Sequence, residues 1–256
     1  MYEISLNARL TLLISSTLTV MAGATVAPSL PLIAETYSHL PHIDILTKLV
    51  LALPALVIAL SGPFIGRVID KFGRVQFLVI GLAAYGISGV SAFFIDDLYL
   101  ILVGRAFLGM AVAIIMTVTN TLIGDLFHPD IRSKFLGLQG VFMAMGGVVF
   151  VGTSGFLADL NWRYPFLIYL LALTVIPLAI SSLPEPDKGE REVPTNKYRP
   201  SPRQYMIFSL AFIGMLFFYM IPVQVPFLLR EMGIQTNALS GVAIATTTLF
   251  GIVTSS

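Results

Sequence analysis

The chain has 256 residues, of which 56% are hydrophobic and 11% are charged, whereas a soluble domain carries about 25% charged residues. Its net charge of +1 gives no basic excess of the kind that binds nucleic acid. Cysteine is absent, which excludes disulfide frameworks and thiolate metal sites, and the three histidines are too scattered to form a metal-binding pattern. This composition is typical of a polytopic membrane protein, and we expect no metal or cofactor.

Uncharged stretches divide the chain into predicted membrane spans, because a helix needs about 20 apolar residues to cross a bilayer core. The intervals without a charged residue are 10–34, 49–66, 75–95, 135–158, 164–184, 204–229 and 232–256. The interval 98–124 contains one charge, Arg105. We predict six complete spans, a polar linker, a seventh span and most of an eighth. Continuous apolar runs favour helices over the alternating strands of a barrel, so the fold class is all-α.

Lysine and arginine residues in the short loops orient the chain, because they are enriched on the cytoplasmic side of membrane proteins. With the N-terminus inside, the cytoplasmic set is Arg9, Arg67, Lys71, Arg74, Arg132, Lys134, Lys188, Arg191, Lys197, Arg199 and Arg203. The external set is then Lys48, Arg163 and Arg230. This asymmetry predicts a multi-pass protein of the cell inner membrane with a cytoplasmic N-terminus.

A break in the apolar pattern divides the chain into three predicted parts. Prolines and charges concentrate after the sixth span, which is typical of a linker. We predict a six-helix transmembrane bundle over residues 1–183, a cytoplasmic linker over 184–203, and the start of a C-terminal bundle over 204–256.

The loop between the second and third spans, Gly66-Arg67-Val68-Ile69-Asp70-Lys71-Phe72-Gly73-Arg74, places four charges and two glycines between two apolar stretches. It resembles the cytoplasmic signature loop of the major facilitator superfamily, G-x-x-x-D-x-x-G-R. Asp70 would lie at the C-terminal end of its own helix, where the macrodipole disfavours a carboxylate, so we expect its partner elsewhere. The resemblance implies that Asp70 meets a helix N-terminus in the second half of the transporter and locks the outward-facing state.

The other residues of this gating motif have simpler expected roles. Gly66 would let the second span approach another helix closely, and Gly73 would permit a tight turn. Arg74 could reach Asp125 at the cytoplasmic end of the fourth span. The alternative is that the basic residues of the loop only follow the positive-inside rule.

Arg105 lies inside the fourth span near its outer end, in Gly104-Arg105-Ala106-Phe107-Leu108-Gly109. An intramembrane arginine is costly and indicates a functional role, with snorkelling to the interface as the alternative. The R-x-x-x-G spacing is similar to the fourth-helix motif of the superfamily, whose arginine faces the central cavity and takes part in proton or substrate coupling. The resemblance implies this role for Arg105, with Gly109 leaving room on the same face.

The fifth span is glycine-rich, and the segment 162–166 after it is similar to the W-R-x-x-F start of the superfamily's sixth helix. Drug-proton antiporters of the family carry g-x-x-x-G-P-x-x-G-G in the fifth span, but here Phe150-Val151 replaces Gly-Pro and Ser154-Gly155 replaces Gly-Gly. Glycines at this spacing also indicate close helix packing. No acidic residue is deep in a span, which leaves three alternatives for proton coupling. The protonation site would lie in a second half, or Arg105 would work with a carboxylate that is not in this chain. The third alternative is that proton coupling differs from the common scheme.

Five polar residues at membrane depth are candidates for contacts in the substrate cavity: Thr25, Asn120, Gln139, Tyr219 and Gln224. Such groups also bond to neighbouring helices, at about 0.6 kcal/mol each, and that structural role is the alternative.

The resemblance implies a secondary active transporter that exports small amphipathic or drug-like molecules in exchange for protons by alternating access. A sugar or nutrient importer of the same superfamily and a non-transporting membrane scaffold are the alternatives. No cluster of catalytic side chains at one membrane face indicates an enzyme. Because the sequence ends within the eighth predicted span, we expect a fragment whose partner is the missing C-terminal half; a natural half that dimerises is the alternative.

Overall fold

The computed structural model describes residues 4–69, 73–185, 201–234 and 236–255. Every regular element in this part of the chain is a helix, which confirms the predicted all-α class. Seven helical spans there are long and apolar enough to cross a membrane. The eighth predicted span also begins as a helix, at Asn237.

The helices follow the predicted spans in chain order. The first span consists of α1 (Leu6–Ala24), a 3₁₀ turn (Ala27–Ser29) and α2 (Leu30–Thr36). The next four are α3 (Ile43–Ile69), α4 (Arg74–Phe94), α5 (Leu98–Leu126) and α6 (Pro129–Leu160). The sixth is a 3₁₀ helix (Tyr164–Leu170) continued by α7 (Leu171–Ser182), and the last two are α8 (Pro202–Glu231) and α9 (Asn237–Ser255).

A proline interrupts the first span after Ala24. Pro28 has no N–H with which to continue the helical ladder, and the chain forms a 3₁₀ turn there instead. The N–H of Val26 consequently bonds to the carbonyl of Gly23, at 3.4 Å, rather than to that of Ala22. The Ala22 carbonyl is thereby left available to another helix.

The α5 helix lies inside the bundle, in contact with α1, α3 and α4. Its buried residues recur with helical spacing and include Leu98, Ile101, Arg105, Leu108, Val112, Ile115, Val118 and Leu122. By contrast, α8 has an exposed first half, in which Leu210 is 70% and Phe212 66% exposed. Most of the predicted linker, residues 186–200, lies outside the described residues, so the three-part division stays a prediction.

Candidate functional site

Arg105 joins four spans near one end of the bundle. We call this the outer end; the opposite, inner end carries Arg74 and is predicted to be cytoplasmic. The Arg105 side chain is 1% exposed, so it does not snorkel to the surface. Its Nε donates to the carbonyl of Val50 at 2.9 Å, its Nη2 to that of Ala22 at 2.6 Å, and its Nη1 to the phenol oxygen of Tyr169 at 3.0 Å. These bonds tie α5 to α1, α3 and the sixth span.

Two of these acceptors are carbonyls that their own helices do not use. The helical partner of Val50 would be the nitrogen of Pro54, which carries no hydrogen. The Ala22 carbonyl is left available by the break in the first span, at the C-terminal end of α1, where the macrodipole favours a cation. An unpaired buried carbonyl costs about 1–3 kcal/mol. Arg105 therefore satisfies two backbone groups, and among the described residues it forms no ion pair with a carboxylate.

Two tyrosines complete the surroundings of the guanidinium. The Tyr169 hydroxyl donates to the carbonyl of Ala22 at 2.8 Å while it accepts from Arg105. The Tyr85 hydroxyl donates to the carbonyl of Leu18 at 2.7 Å, and its ring packs edge-on against that of Tyr169 at 5.5 Å. Sequence reasoning missed Tyr169; the available signal was a phenol in the sixth span at the same depth as Arg105.

Gly109 brings α5 against α3 at Pro54. A Cβ at this position would lie 2.7 Å from the carbonyl oxygen of Pro54 and 2.9 Å from the Cβ of Val57. Gly109 thus holds the two backbones at the separation that lets Arg105 reach Val50, one turn away.

Thr25 and Tyr219 also lie near Arg105. The buried Thr25 hydroxyl donates within its own helix, to the carbonyl of Met21 at 2.8 Å. The Tyr219 hydroxyl is 3.7 Å from where a Cβ of Gly23 would be, so α8 contacts the end of α1 at this point. The structure groups both residues with the buried arginine.

The inner end has a separate cluster of charges around the start of α4. Arg74 Nη1 lies 2.7 Å from Asp125 Oδ2, which is the contact expected from the sequence. The carboxylate of Glu185 accepts the backbone N–H groups of Arg74 and Val75, the second at 2.9 Å. These N–H groups have no partner within their helix, so Glu185 caps α4. Sequence reasoning assigned Glu185 to the linker, and only the fold brings it to this helix.

Two expectations about the signature loop are wrong. A Cβ on Gly66 would meet nothing within 4 Å, so this glycine permits no close helix approach in the described structure. Gly73 has φ −61° and ψ 139°, which other residues adopt, so no tight turn requires glycine there. Its missing side chain instead leaves room for Glu185, whose carboxylate would lie 3.3 Å from a Cβ. Asp70 lies outside the described residues, and its gating role stays a prediction.

Asn120 and Gln139 meet in a polar network between three helices. Gln139 Nε2 donates to the Ser16 hydroxyl at 2.8 Å and to Asn120 Oδ1 at 3.2 Å. The Ser16 hydroxyl donates to the carbonyl of Leu12 at 2.8 Å. The network therefore links α1, α5 and α6, and Gln139 is buried while Asn120 is exposed.

A cavity of about 590 Å³ adjoins this network in the inner half of the bundle. It is lined by Ile58, Gly62, Ala113, Met116, Thr117, Asn120, Thr121, Gly124 and Arg132. Neither Arg105 nor Gly109 lines it, and fifteen residues separate Arg105 from Asn120 along α5, which is about 22 Å at 1.5 Å per residue. The resemblance implied that Arg105 faces a cavity, but its carbonyl bonds hold it inside the bundle. Gln224 is exposed on α8 and does not line this cavity.

The described side-chain bonds from the first six spans to α8 and α9 lie at the outer end. Glu35 forms an ion pair with Arg230 across 2.5 Å. Asp159 accepts from the backbone N–H of Asn237 at 2.6 Å and from that of Ala238 at 3.0 Å, and so caps α9. Sequence reasoning missed the capping role of Asp159. The start of the helix that it caps was visible, because an amide residue such as Asn237 before an apolar run is a helix-start signal.

Glycines let α6 and α9 touch directly beside this cap. A Cβ on Gly155 would lie 2.8 Å from the carbonyl oxygen of Asn237, and one on Gly241 would lie 2.7 Å from that of Val151. Gly137, Gly140 and Gly152 have no such neighbour within 4 Å. Close packing therefore explains only some of the glycines of the fifth span.

The outer loops of the first six spans form a further cluster. The Tyr37 hydroxyl donates to the carbonyl of Asp96 at 2.9 Å, and its ring packs edge-on against Trp162 at 6.1 Å. Burial raises the pKa of the Tyr37 phenol, so this donor stays protonated at neutral pH. Arg163 pairs with the Asp96 carboxylate and lies over the Trp162 ring.

Comparison with known proteins agrees with this architecture. Multidrug resistance protein 1 of Bacillus subtilis is 30% identical over 129 residues, covering 50% of this chain and 33% of that protein. Protein spinster homolog 3 of Mus musculus is 25% identical over 196 residues, covering 74% of this chain and 37% of that protein. The chain thus spans about a third of the length of these curated relatives.

Solved structures with the same fold include a bacterial homologue of the human lysosomal transporter Spinster, in an inward-facing and occupied conformation. It superposes with a TM-score of 0.77 at 20% identity, covering 94% of this chain and 57% of that chain. The family model described as Major Facilitator Superfamily matches residues 12–256. The chain belongs to the Major Facilitator Superfamily.

Proposed function

We propose that the protein exports small amphipathic molecules across the cell inner membrane by alternating access, in exchange for protons. In this proposal residues 1–183 form the N-terminal bundle, and α8 and α9 begin a second bundle that the rest of a longer transporter completes. The names of the multidrug relatives support export. The distribution of lysine and arginine supports a cytoplasmic N-terminus.

One observation carries the proposal: α8 and α9 bond to the first six spans at the outer end, while the cavity lies in the inner half. The contacts are the Glu35–Arg230 pair and the Asp159 cap. Alternating access needs contacts at one end that break while a cavity at the other end closes. The arrangement described here has the features of an inward-open state.

The second part of the proposal concerns the inner end. Closing the inner end would bring the signature loop toward the second bundle, with Asp70 as the expected contact. The Arg74–Asp125 pair and the Glu185 cap would then hold α4 and α5 together as one body while the bundles rock. Arg105 would do the same for α1, α3, α5 and the sixth span.

The experiment is a transport assay on the full-length protein in proteoliposomes with an imposed pH gradient. We would follow three pyrene probes that differ in charge, pyrenebutyrate, pyrenebutanol and pyrenebutyltrimethylammonium, with protein-free liposomes as the control. We expect at least one probe to move against its own gradient in response to the proton gradient. Movement of D-xylose but of none of the probes, or no gradient-driven movement at all, would contradict the proposal.

A further inference from the structure

The cavity wall presents a hydrogen-bond donor at Asn120, and the polar network determines which group that is. The Ser16 hydroxyl gives its hydrogen to the carbonyl of Leu12, so it can only accept from Gln139. Gln139 therefore turns its NH₂ group toward Ser16, and the same group donates to Asn120 Oδ1. Asn120 lines the cavity, and because its oxygen faces Gln139, its NH₂ group is the part of the amide left to donate to a ligand there.

The two threonines of the wall have the opposite character. Thr117 donates to the carbonyl of Ala113 at 2.7 Å, and Thr121 donates to that of Thr117 at 2.8 Å. Each hydroxyl has only one hydrogen, so both present lone pairs alone to a ligand. Thr117, Asn120 and Thr121 share one face of α5 because they are spaced at i, i+3 and i+4.

Arg132 adds a positive charge to this wall. Its Nη2 lies 3.5 Å from where a Cβ of Gly124 would be, which places the guanidinium one turn from Asn120 along α5. Four residues of helix correspond to about 6 Å. In the described part of the chain no carboxylate lines the cavity, and Asp125, the residue after Gly124, is paired with Arg74. The described wall therefore carries a net positive charge.

The remainder of the wall is apolar. Ile58 of α3 and Met116 and Ala113 of α5 line the part of the cavity farther from Arg132. Methionine is adaptable in shape and suits ligands with irregular apolar groups. The cavity thus has a cationic part, with donors at Arg132 and Asn120 and acceptors at the two threonines, and an apolar part.

From this arrangement we infer that the transported molecule is an amphiphile with an anionic headgroup, such as a carboxylate, bound between Arg132 and the NH₂ group of Asn120. Its apolar part lies against Ile58 and Met116. A cationic amphiphile would lose its hydration beside Arg132 without gaining a carboxylate partner, which disfavours it. This inference rests on the proposed function, since it names the substrate class of the same transporter.

The test compares two of the pyrene probes for binding to the full-length protein in phosphatidylcholine nanodiscs, with empty nanodiscs subtracted. Pyrenebutyrate and pyrenebutyltrimethylammonium share the ring and the chain and differ in charge. We expect pyrenebutyrate to bind at least tenfold more tightly. Equal affinity, or tighter binding of the cation, would overturn the inference.

Two variants of Arg132 test where the anionic headgroup binds. Arg132→Gln should weaken pyrenebutyrate binding at least fivefold, and Arg132→Glu should reverse the preference, which a merely unfolded variant would not do. The matched control is Lys134→Gln, because Lys134 is an exposed cation two residues away that does not line the cavity. Equal effects of Arg132→Gln and Lys134→Gln would refute the site.

Binding and transport separate this inference from the proposed function. If pyrenebutyrate binds selectively but no probe is moved in proteoliposomes, the proposed function fails and the headgroup site stands. If the protein moves the cationic probe in preference to the anionic one, the site fails and the proposed function stands.

Discussion

Gly109→Ala tests whether close contact between α3 and α5 positions Arg105. The added Cβ would lie 2.7 Å from the carbonyl oxygen of Pro54 and 2.9 Å from its Cα. Both atoms belong to the backbone and cannot rotate away. Ordinary van der Waals contacts begin at about 3.4 Å, so the two helices must separate by about 0.7 Å.

This separation is enough to break a hydrogen bond one turn away. Arg105 Nε lies 2.9 Å from the carbonyl of Val50, and a shift of the same size would take it to about 3.6 Å, beyond a real hydrogen bond. Overpacking costs about 1–3 kcal/mol, and loss of a bond from a charged group costs about 1.5–3 kcal/mol. Alanine has a higher helix propensity than glycine, which stabilises the variant by about 1 kcal/mol. We therefore expect the free energy of unfolding to fall by about 3 kcal/mol in total.

Thermal unfolding of the purified protein in one detergent measures this loss. For a chain of this size each kcal/mol corresponds to about 2–4 °C, so the midpoint should fall by about 6–12 °C. Gly152→Ala is the control, because it makes the same change in a transmembrane helix where a Cβ would meet nothing within 4 Å. If Gly109→Ala unfolds at the same temperature as Gly152→Ala, the contact does not have the role described here.

Three further predictions follow from the other contacts. Arg105→Lys should lower transport of the pyrene probes at least tenfold, since one ammonium group lacks the planar fork that reaches Val50, Ala22 and Tyr169 together; a fully active lysine variant would contradict this. Glu185→Gln should lower the unfolding free energy by about 1 kcal/mol, as for other helix caps, and an unchanged midpoint in thermal unfolding would rule out the cap. Asp159→Ala should speed maleimide labelling of a cysteine introduced at the buried Ser240 severalfold, because Asp159 caps α9 at the outer end. Equal labelling rates with and without Asp159 would show that this cap does not keep the outer end closed. These 256 residues contain no cysteine, so none of them needs a background substitution in the last assay.

The sequence was sufficient for the helices and for the ion pair at the inner end. Span boundaries were predictable because charged residues are costly in a bilayer, and they bracket the apolar runs that became helices. The Arg74–Asp125 pair was predictable because both residues lie at ends of neighbouring spans. Asn120 and Gln139 stood out as amides at membrane depth, and they bond to each other.

The sequence was not sufficient for the partners of Arg105 and Glu185. The acceptors of Arg105 are backbone carbonyls, and they leave no trace in the residue types at Val50 and Ala22. The sequence does show prolines farther along each helix. Their effect on a third helix can be seen only once the fold is known. Glu185 contacts a helix more than one hundred residues earlier in the chain. The role expected for Gly66 failed because the spacing of a motif does not specify which neighbour is close.

The carbonyl bonds of Arg105 also bear on ion leakage through the bundle. Arginine cannot lose its proton in a protein, and here its partners are neutral, so its charge is permanent and uncompensated by a carboxylate in the described structure. At an effective dielectric constant of about 20, a monovalent cation 10 Å away is repelled by about 1.7 kcal/mol. That reduces its local concentration roughly twentyfold, by the same relation between energy and equilibrium constant. Arg105 would therefore act as an electrostatic barrier to sodium and potassium ions entering from the outer side.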